Sequence, residues 1–338
     1  MIQKKINIEG SQVQCFFDAG FGALRNICDK ASTILVTDEN VLAAYPQKFK
    51  GWRTLVLKPG EEFKQQAAVD ALLKQLIELQ ADRSTTLVGV GGGVVTDMVG
   101  YAAAVYMRGI KVGFVPTSLL AMVDASIGGK NGVDVGHYKN LVGTIRQPSF
   151  LLYDAQLLQT LPECEWQNGF AEIIKHAAIK NAAMFKLLEA NDLAFFQKKK
   201  AALKTLIMQN ALLKTAVVQK DPFEKGDRKL LNFGHTLGHA IENDNQLSHG
   251  QAVAVGMVYA AHLSHALKGF KESLRLIQTI EQYGLPTHAN FDMQRALQNI
   301  RLDKKRLKNE VHYVLLEKIG KGIIEPIAFK QLEQIFSN

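Results

Sequence analysis

Short apolar runs alternate with segments of helical periodicity along residues 1–155. The runs STILVTDENV, WRTLVLKPG, STTLVGVGGG and KVGFVPTS end at Gly, Pro, Ser or acidic positions, which is typical of buried strands. Between them, EFKQQAAVDALLKQLIEL places Ala67, Leu72, Leu76 and Leu79 near one helical face. This alternation predicts a parallel sheet covered by helices.

From about residue 157 the chain becomes rich in Ala, Leu and Lys. Its helical patterns are interrupted by DPFEKG, NDNQLSHG and YGLPTHAN, and EVHYVLLEKIGKGI is typical of one pair of strands. We therefore predict two domains: an α/β domain at residues 1–155 and a mainly α-helical domain at residues 156–338.

Composition and charge narrow the class of protein. Apolar residues make up 47% of the chain, enough for a sizeable core. The start MIQKKINIEG lacks the apolar segment of a signal peptide, and the apolar runs are too short to span a membrane. Three widely spaced cysteines fit a reducing cytoplasm.

A net charge of +8 is compatible with nucleic acid, with an anionic small substrate, or with an ordinary solvated surface. The basic residues are scattered on helix faces and no aromatic residues are interleaved with them, so we expect no nucleic-acid partner.

The run VGVGGGVV at 88–95 is similar to a dinucleotide fingerprint but fails the G-x-G-x-x-G test, because Val94 or Thr96 occupies the last glycine position. A glycine run between a strand and a helix still lets backbone N–H groups approach a pyrophosphate. The alternative is a tight structural turn. Asp38 follows an earlier strand and could bind ribose hydroxyls, so we predict an α/β nucleotide-binding domain of non-standard order.

The segment SIGGKNG is not a phosphate-binding P-loop, since Asp124 stands where the first glycine is required. Lys130, Lys139 and Asn140 could still be presented to an anion, or the lysines could be ordinary surface residues. In NGFAEIIKHAAIK, Glu172 and Lys175 can point the same way from a helix. Such a carboxylate among Ala and Ile either has a buried cation partner or forms a surface salt bridge.

Three histidines lie close together in LLNFGHTLGHAIENDNQLSHG. His235 and His239 share a helical face, and His249 follows a loop, so spacing alone predicts a zinc site of these three with Glu172 as a candidate fourth ligand. The alternative is a set of unconnected polar histidines. His262 and His265 have no acidic or Cys neighbour and are assigned a structural role.

Together these segments resemble the 3-dehydroquinate synthases, a family of NAD-dependent sugar-phosphate cyclases. The matching stretches run in order along the chain: TDENV, PGEEFK, GGGVVTD, MRG, VPTSLLAMVDASIGGKNGVD, YKNLVG, TLPE, GFAEIIKHA, LLNFGHTLGHAIE, HGQAVAVGM and DKK. The first 30 residues and 185–205 carry little of the resemblance.

The resemblance implies a dehydroquinate synthase-like fold and a cytoplasmic homodimer with no membrane partner. NAD⁺ would bind the N-terminal domain, and Zn²⁺, or alternatively Co²⁺, the helical metal- and substrate-binding domain, with the active site between them. The implied metal ligands are Glu172, His235 and His249, which leaves His239 facing the substrate. The implied NAD⁺ contacts are Asp38, Asn40, Glu61, Lys64, Gly91, Gly92, Gly93, Val94, Val95, Thr96, Asp97, Thr117, Ser118, Lys130, Lys139 and Thr160. The implied substrate and catalytic residues are Arg108, Asp124, Lys130, Asn140, Lys175, Lys214, Arg228, Asn232, His239 and one or both of Lys304 and Lys305.

The implied reaction converts a phosphorylated keto acid, 3-deoxy-D-arabino-heptulosonate 7-phosphate, to 3-dehydroquinate and phosphate, a step of the shikimate pathway to aromatic amino acids. It proceeds by transient oxidation with NAD⁺, phosphate elimination, re-reduction, ring opening and an intramolecular aldol, with Zn²⁺ as Lewis acid. The chain departs from the family pattern at three positions: Thr96 replaces Gly, Ser118 replaces Thr and Gln251 replaces Glu. The loop before His249 is also shorter than is usual.

Two related enzyme classes and one unrelated class are alternatives. Sister cyclases making valiolone or inosose share the zinc and NAD⁺ residues, but Arg108, Asn140, Arg228, Asn232 and DKK match the dehydroquinate type. A metal-dependent polyol dehydrogenase would not need so many anion-binding residues. A basic nucleic-acid-binding module would show a groove-reading motif, which the sequence lacks.

Overall fold

The computed structural model describes residues 1–136, 138–242, 247–303 and 310–336. By packing, the chain divides into two compact units. The first contains Met1–Pro162 and Lys200–Phe223, and the second contains Glu163–Lys199 and Glu224–Asn338. The domain limits of 1–155 and 156–338, and the role assigned to each domain, stay predictions.

The described part of the first unit contains a seven-stranded sheet with the order β1-β2-β9-β6-β5-β3-β4. Its strands are β1 Ile2–Ile8, β2 Ser11–Phe17, β3 Thr33–Asp38, β4 Arg53–Leu57, β5 Thr86–Gly91, β6 Lys111–Pro116 and β9 Phe150–Leu152. Only β1 pairs antiparallel, and the other neighbours run parallel. The predicted parallel sheet is therefore present.

The chain order reverses between β3 and β5, which are neighbours in the sheet. From β3 the chain crosses outward to β4, whereas β5, β6 and β9 follow one another in the opposite direction. In open parallel sheets, ligands bind beyond the carboxyl ends of the strands at such a reversal. The carboxyl ends of β3 and β5 are therefore the place to look for a nucleotide site.

Helices and one hairpin complete the first unit. The helices are α1 Leu24–Ile27, α2 Glu39–Ala44, α3 Pro46–Phe49, α4 Gln66–Glu78, α5 Gly93–Val105 and α9 Lys200–Lys220. The hairpin pairs β7 Lys130–Val135 with β8 Tyr138–Ile145. The sequence pattern does not predict this hairpin, because its strands are rich in Gly and polar residues and show weak alternation.

The buried face of α4 differs in part from the predicted one. Leu72 and Leu76 are buried as expected, Leu79 is half-buried and Ala67 is exposed. Val69 takes the place of Ala67, because a residue three positions before Leu72 shares its face and one five positions before does not.

The second unit is mainly helical, as predicted. Its helices are α6 Glu163–Lys180, α7 Ala182–Glu189, α8 Leu193–Lys198, α10 His235–Glu242, α11 His249–Lys268, α12 Ser273–Gln282, α13 Met293–Asp303 and α14 Phe329–Phe336. The predicted strand pair is also present as β10 Glu310–Lys318 and β11 Lys321–Ala328, with antiparallel register.

The central helix of this unit, α11, has well-defined ends. Ser248 accepts from the backbone of Gln251, the Gln251 side chain accepts from the backbone of Ser248, and Gly269 ends the helix with a φ of 69°. This capping box satisfies N–H groups at the helix start, and the left-handed glycine closes the other end. Residues 252–258 are buried, so the helix runs through the core of the unit.

None of the helices in the described ranges combines the length and apolar character needed to cross a bilayer.

Candidate active site

The predicted nucleotide-binding residues of the first unit gather at the reversal of the sheet. Thr37 pairs with Val90, and Gly91 pairs with Pro116, so β3, β5 and β6 end at the same edge. Asp38 ends β3, the glycine run begins at the last residue of β5, and Thr117 and Ser118 follow β6 directly. The Asp38 side chain accepts from the backbone N–H of Val41 at 2.8 Å and caps α2.

The three glycines of the run differ in what surrounds them. A Cβ on Gly91 would lie 2.5 Å from the side chain of Val95, whereas on Gly92 its nearest neighbour would be Ser118 Oγ at 3.5 Å. Gly91 is therefore required by packing, as the structural alternative proposed. Gly92 precedes the first turn of α5, whose free N–H groups suit an anion.

Thr96, where the family pattern has Gly, is enclosed in α5 with 1% of its surface exposed. Its hydroxyl donates to the backbone carbonyl of Gly93 at 3.0 Å. The hydroxyl that Thr96 adds relative to Gly is thus bonded within the helix itself. Val95 is also buried in this turn, and Val94 is half-buried.

Lys64 forms the centre of a polar cluster in the first unit. Its Nζ lies 2.7 Å from Asp97 Oδ2, 2.6 Å from Asn140 Oδ1 and 3.8 Å from Glu61 Oε1. Burial raises the pKa of Asp97 to about 6, although Lys64 opposes the shift. Burial lowers the pKa of Lys64, but Asp97 and Glu61 outweigh it and leave it above its usual value.

A second ion pair joins Asp124, in the π-turn Ala121–Ala125, to Lys214 on α9. Lys214 Nζ lies 2.8 Å from Asp124 Oδ1 and donates to the Asp124 backbone carbonyl at 2.7 Å. Two residues of the predicted substrate set, 90 positions apart, are therefore in direct contact.

The other predicted residues of this unit are exposed. Asn40 lies on α2, Lys130 on β7 and Lys139 on β8, and Thr160 donates to the hydroxyl of Tyr45 at 3.0 Å. Arg108 lies in the 3₁₀ turn after α5 with a φ of 65°.

In the second unit, three predicted metal ligands converge from three helices. Ligand atoms of Glu172 on α6, His235 on α10 and His249 on α11 all lie within 4.8 Å of one another. Glu172 Oε1 is 3.5 Å from His235 Nε2 and 3.3 Å from His249 Nε2.

His239 lies next to this cluster. Its ring centroid is 5.0 Å from that of His235 and 6.3 Å from that of His249, and the residue is exposed. It also forms a second compact group with Glu242 and His249. The three histidines expected from spacing therefore do lie close together. His235 and His249, however, both face the carboxylate of Glu172.

Close backbone packing brings the two histidine-bearing helices together. A Cβ on Gly256 of α11 would lie 1.9 Å from the carbonyl oxygen of Gly234, and a Cβ on Gly250 would lie 2.5 Å from Cα of Asn168 on α6. Small residues let α11 approach both neighbours, which positions His249 beside Glu172 and His235.

The buried charges of the cluster compensate one another. The Glu172 carboxylate contacts Lys175, and their side chains are 0% and 2% exposed. The alternative of a surface salt bridge is therefore excluded. Burial and the nearby Lys175 charge hold the pKa of His235 well below its usual value. Burial also opposes protonation of His249, but Glu172 and Glu242 outweigh it and raise its pKa to about 10.

The donor set fits a divalent cation. One carboxylate and two imidazoles are the ligands that Zn²⁺ and Co²⁺ accept, and three protein ligands leave coordination open for a substrate. Imidazole binds a metal in its neutral form, which His235 already has, and a bound metal would displace the proton that Glu172 and Glu242 favour on His249. Alkali and alkaline-earth ions prefer oxygen ligands, so a site with two imidazole nitrogens suits them less well.

Two further residues belong to this site and were not predicted from the sequence. His176 Nε2 lies 3.9 Å from Glu172 Oε2, and Glu242 Oε2 lies 3.6 Å from His249 Nδ1. Both are buried. Helical spacing carried the signal, since His176 follows Glu172 by four positions and Glu242 follows His239 by three.

The remaining predicted residues of this unit differ in burial and in hydrogen-bond partners. Arg228 is buried in the 3₁₀ turn Asp227–Asn232, and Asn232 donates to Glu224 Oε1 at 2.5 Å. His262 is exposed, and His265 Nδ1 lies 2.9 Å from the Phe270 carbonyl oxygen. Lys304 and Lys305 lie outside the described residues.

Known proteins match most of the chain in sequence. The family profile for the 3-dehydroquinate synthase N-terminal domain matches residues 54–168, and the C-terminal profile matches residues 169–306. The 3-dehydroquinate synthase of Pyrobaculum islandicum is 40% identical over 290 residues, which cover 84% of each chain. That of Xanthomonas axonopodis pv. citri is 42% identical over 285 residues, covering 80% of this chain and 77% of the relative.

The fold also matches that of a solved sugar-phosphate cyclase. The 2-epi-5-epi-valiolone synthase from Streptomyces hygroscopicus subsp. jinggangensis, solved with NAD⁺ and Zn²⁺ bound, is 26% identical with a TM-score of 0.87. The match covers 100% of this chain and 98% of that one, and it confirms the predicted fold class. With both profiles matched and about 40% identity over most of its length, the chain belongs to the 3-dehydroquinate synthase family.

Proposed function

We propose that the chain catalyses the 3-dehydroquinate synthase reaction, converting 3-deoxy-D-arabino-heptulosonate 7-phosphate to 3-dehydroquinate and phosphate. The enzyme class is then that of a phosphorus–oxygen lyase of aromatic amino acid biosynthesis. We further propose that it acts in the cytoplasm as a homodimer. The observation that carries the proposal is the convergence of Glu172, His235 and His249 within 4.8 Å, in a chain matched by both family profiles.

We assign a divalent metal, Zn²⁺ or Co²⁺, to Glu172, His235 and His249. The metal supplies Lewis acidity that lowers the pKa of a substrate hydroxyl. Among the three ligands, Glu172 contributes a negative charge. His235 is neutral and contributes a ligand atom without a charge. Glu242 faces the Nδ1 side of His249 and orients that ring, as carboxylates often do for metal-bound imidazoles.

We assign NAD⁺ to the carboxyl edge of the sheet, with its pyrophosphate at the N-terminus of α5 and its ribose hydroxyls near Asp38. Bound there, NAD⁺ would supply a reversible hydride acceptor for C5 of the substrate, so that the reaction has no net redox change. Gly92 leaves open the approach to the first turn of α5, and Asp97 and Lys64 provide a fixed charge pair beside it.

Cationic side chains bind the phosphate and carboxylate of the substrate. Lys175, Lys214 and Arg228 are all buried, which strengthens their charge-assisted hydrogen bonds to an anion. Lys214 is already oriented by Asp124, and Lys175 by Glu172. Fixed partners reduce the entropy lost when the substrate orders these long side chains.

His239 is a substrate-facing group in this proposal and not a metal ligand. Its exposure and its place beside His235 and His249 support that role. His239 and Asn232 bind around the phosphate, whose own oxygen takes the proton from the carbon next to the new ketone as the C–O bond to phosphate breaks.

Sister cyclases remain the nearest alternative, because one of them shares the fold with 26% identity. The dehydroquinate synthases share 40% to 42% identity with the chain. The residues that match the dehydroquinate type, above all Arg108, Asn140, Arg228 and Asn232, also favour a substrate with a carboxylate.

The deciding experiment measures phosphate release from the heptulosonate phosphate with NAD⁺ and Zn²⁺, before and after chelation. We expect stoichiometric 3-dehydroquinate, no accumulation of NADH, and loss of activity that Zn²⁺ or Co²⁺ restores. A phosphorylated sugar without the carboxylate serves as the control and should react poorly. Preference for that control would indicate a sister cyclase, net NADH formation a polyol dehydrogenase, and absence of phosphate release would contradict the assignment.

A further inference from the structure

The hairpin β7–β8 contains an irregularity whose contacts reach the Lys64 cluster. Its register shifts between Val133 and Val135, so that Asp134 lies at a bulge. Opposite it, Asn140 has a φ of 56°, a left-handed conformation that costs energy for a residue with a side chain. The backbone N–H of Asn140 donates to Asp134 Oδ1 at 2.7 Å. The carboxylate of Asp134 therefore stabilises the strained backbone of Asn140.

Asp134 is tied to Lys64 as well. Its backbone N–H donates to the carbonyl oxygen of Lys64 at 2.7 Å, and Asp134 pairs with Gln65 in an isolated parallel bridge. Asp134 thus fixes the backbone of both residues in the Lys64–Asn140 contact. Its backbone N–H binds Lys64, and its carboxylate binds Asn140.

The Lys64 ammonium group sets which way the Asn140 amide points. An ammonium group only donates, so the atom 2.6 Å from Lys64 Nζ must be the amide oxygen of Asn140. The amide NH₂ is then directed away from Lys64 and is available as a donor to an acceptor-rich ligand. The second close partner of this ammonium group is Asp97, at 2.7 Å, in the helix that follows the glycine run.

We propose that Asp134 is a positioning residue that couples substrate binding to NAD⁺ binding. Asp134 holds the backbone of Asn140 in its left-handed conformation. In that conformation Lys64 contacts both the Asn140 amide oxygen and the Asp97 carboxylate. This inference rests on the proposed function, which gives Asn140 to the substrate and Lys64 and Asp97 to NAD⁺. Because the Asp134 carboxylate holds Asn140, and Asn140 in turn contacts Lys64, loss of that carboxylate weakens the binding of both ligands.

The test compares Asp134→Ala with Asp134→Asn, and uses Val135→Ala as the matched control. Val135 lies next to Asp134 in the same strand, and 47% of the residue's surface is exposed. In Asp134→Ala we expect the KM of the sugar phosphate to rise about tenfold, the scale of one hydrogen bond to a charged group, with a much smaller change in kcat. Asp134→Asn retains an acceptor oxygen and should restore most of the loss, and Val135→Ala should behave as wild type.

NAD⁺ titration by calorimetry gives a second readout that does not require turnover. We expect the Kd for NAD⁺ to rise about threefold or more in Asp134→Ala and to recover in Asp134→Asn. If the wild-type protein released no phosphate, the proposed function would fail while this titration still tested the Asp134–Lys64 connection.

A double-mutant cycle shows whether Asp134 acts through Asn140. In the Asn140→Ala background, adding Asp134→Ala should change KM by less than about twofold, because the group that it positions is already gone. Independent, multiplying effects of the two substitutions would overturn the proposal. So would an Asp134→Ala protein with lower thermal stability but unchanged KM and Kd, since that result describes a purely structural residue.

Discussion

Glu172 and Lys175, one turn apart on α6, form an ion pair from which solvent is almost completely excluded. The same carboxylate lies 3.3 Å from His249 Nε2, 3.5 Å from His235 Nε2 and 3.9 Å from His176 Nε2. A charge removed from water is stable only with partners, so this crowding of basic groups explains how a carboxylate is held in the core of the second unit. It also makes Glu172 the most informative position to change.

Glu172→Ala should abolish metal retention, as measured by elemental analysis of the purified protein. The substitution also leaves Lys175 buried without its partner, which should lower the free energy of unfolding by about 3–5 kcal/mol. Glu172→Ala combined with Lys175→Met removes both charges and should regain much of the stability without regaining the metal. A folded Glu172→Ala protein with full metal content would contradict the ligand assignment.

The two histidines of α10 should respond differently to substitution. We expect His235→Ala to lose the metal, whereas His239→Ala keeps it and turns over more slowly, because our proposal places His239 at the substrate and not on the metal. Metal content and kcat measured on the same preparations separate the two effects. Equal loss of metal from both variants would instead support the histidine trio predicted from spacing alone.

Glu242→Ala should weaken metal binding without removing a ligand. Orienting carboxylates typically contribute about 10–100-fold to metal affinity, and Glu242 lies 3.6 Å from Nδ1 of His249. Competition with a chelator measures the change, and Glu78→Ala on the exposed face of α4 is the control. Unchanged affinity in Glu242→Ala would show that the ring of His249 is held by other contacts.

The stability of the first unit should depend on pH through Asp97. Its pKa in the folded chain, about 6, is higher than the usual 3.8, so the fold favours the protonated form. Its contribution to stability is therefore complete below about pH 3.8 and is lost as the pH rises through about 6.

Urea unfolding of wild type and Asp97→Asn at several pH values isolates this contribution. We expect wild type to lose stability relative to the variant between about pH 4 and pH 7. The charged groups that face Asp97 are Lys64, Glu61 and Lys214. A pH-independent difference between the two proteins would mean that Lys64 compensates the buried carboxylate completely.

Gly91→Ala and Gly92→Ala should separate packing from ligand access in the glycine run. The new methyl group at Gly91 would meet the buried Val95 at 2.5 Å, so we expect a loss of about 1–3 kcal/mol in stability. At Gly92 the nearest atom is 3.5 Å away, so the fold should tolerate the methyl group while NAD⁺ affinity falls. Thermal unfolding and NAD⁺ titration of both variants check this, and equal destabilisation would show that the turn tolerates neither change.

The sequence by itself determined the features that depend on neighbouring residues. Apolar periodicity identified the strands and helices of the parallel sheet, the glycine run marked the β5–α5 turn, and the spacing of His235 and His239 gave their common helical face. These are properties of local geometry, so they can be read along the chain. Spacing alone gave Glu172 only as a candidate fourth ligand. The resemblance to a family then implied that Glu172, His235 and His249 are the metal ligands.

The tertiary structure decided what depends on packing between distant segments. Lys175 is buried and not on a surface because α6 is enclosed in the core of its unit, and Glu242 reaches His249 because glycines let α10 and α11 approach closely. Asp134, Lys64 and Asn140 meet only when a weakly patterned hairpin folds against the start of α4. Such contacts join residues as far apart as Asp124 and Lys214, 90 positions along the chain, and no local periodicity encodes them.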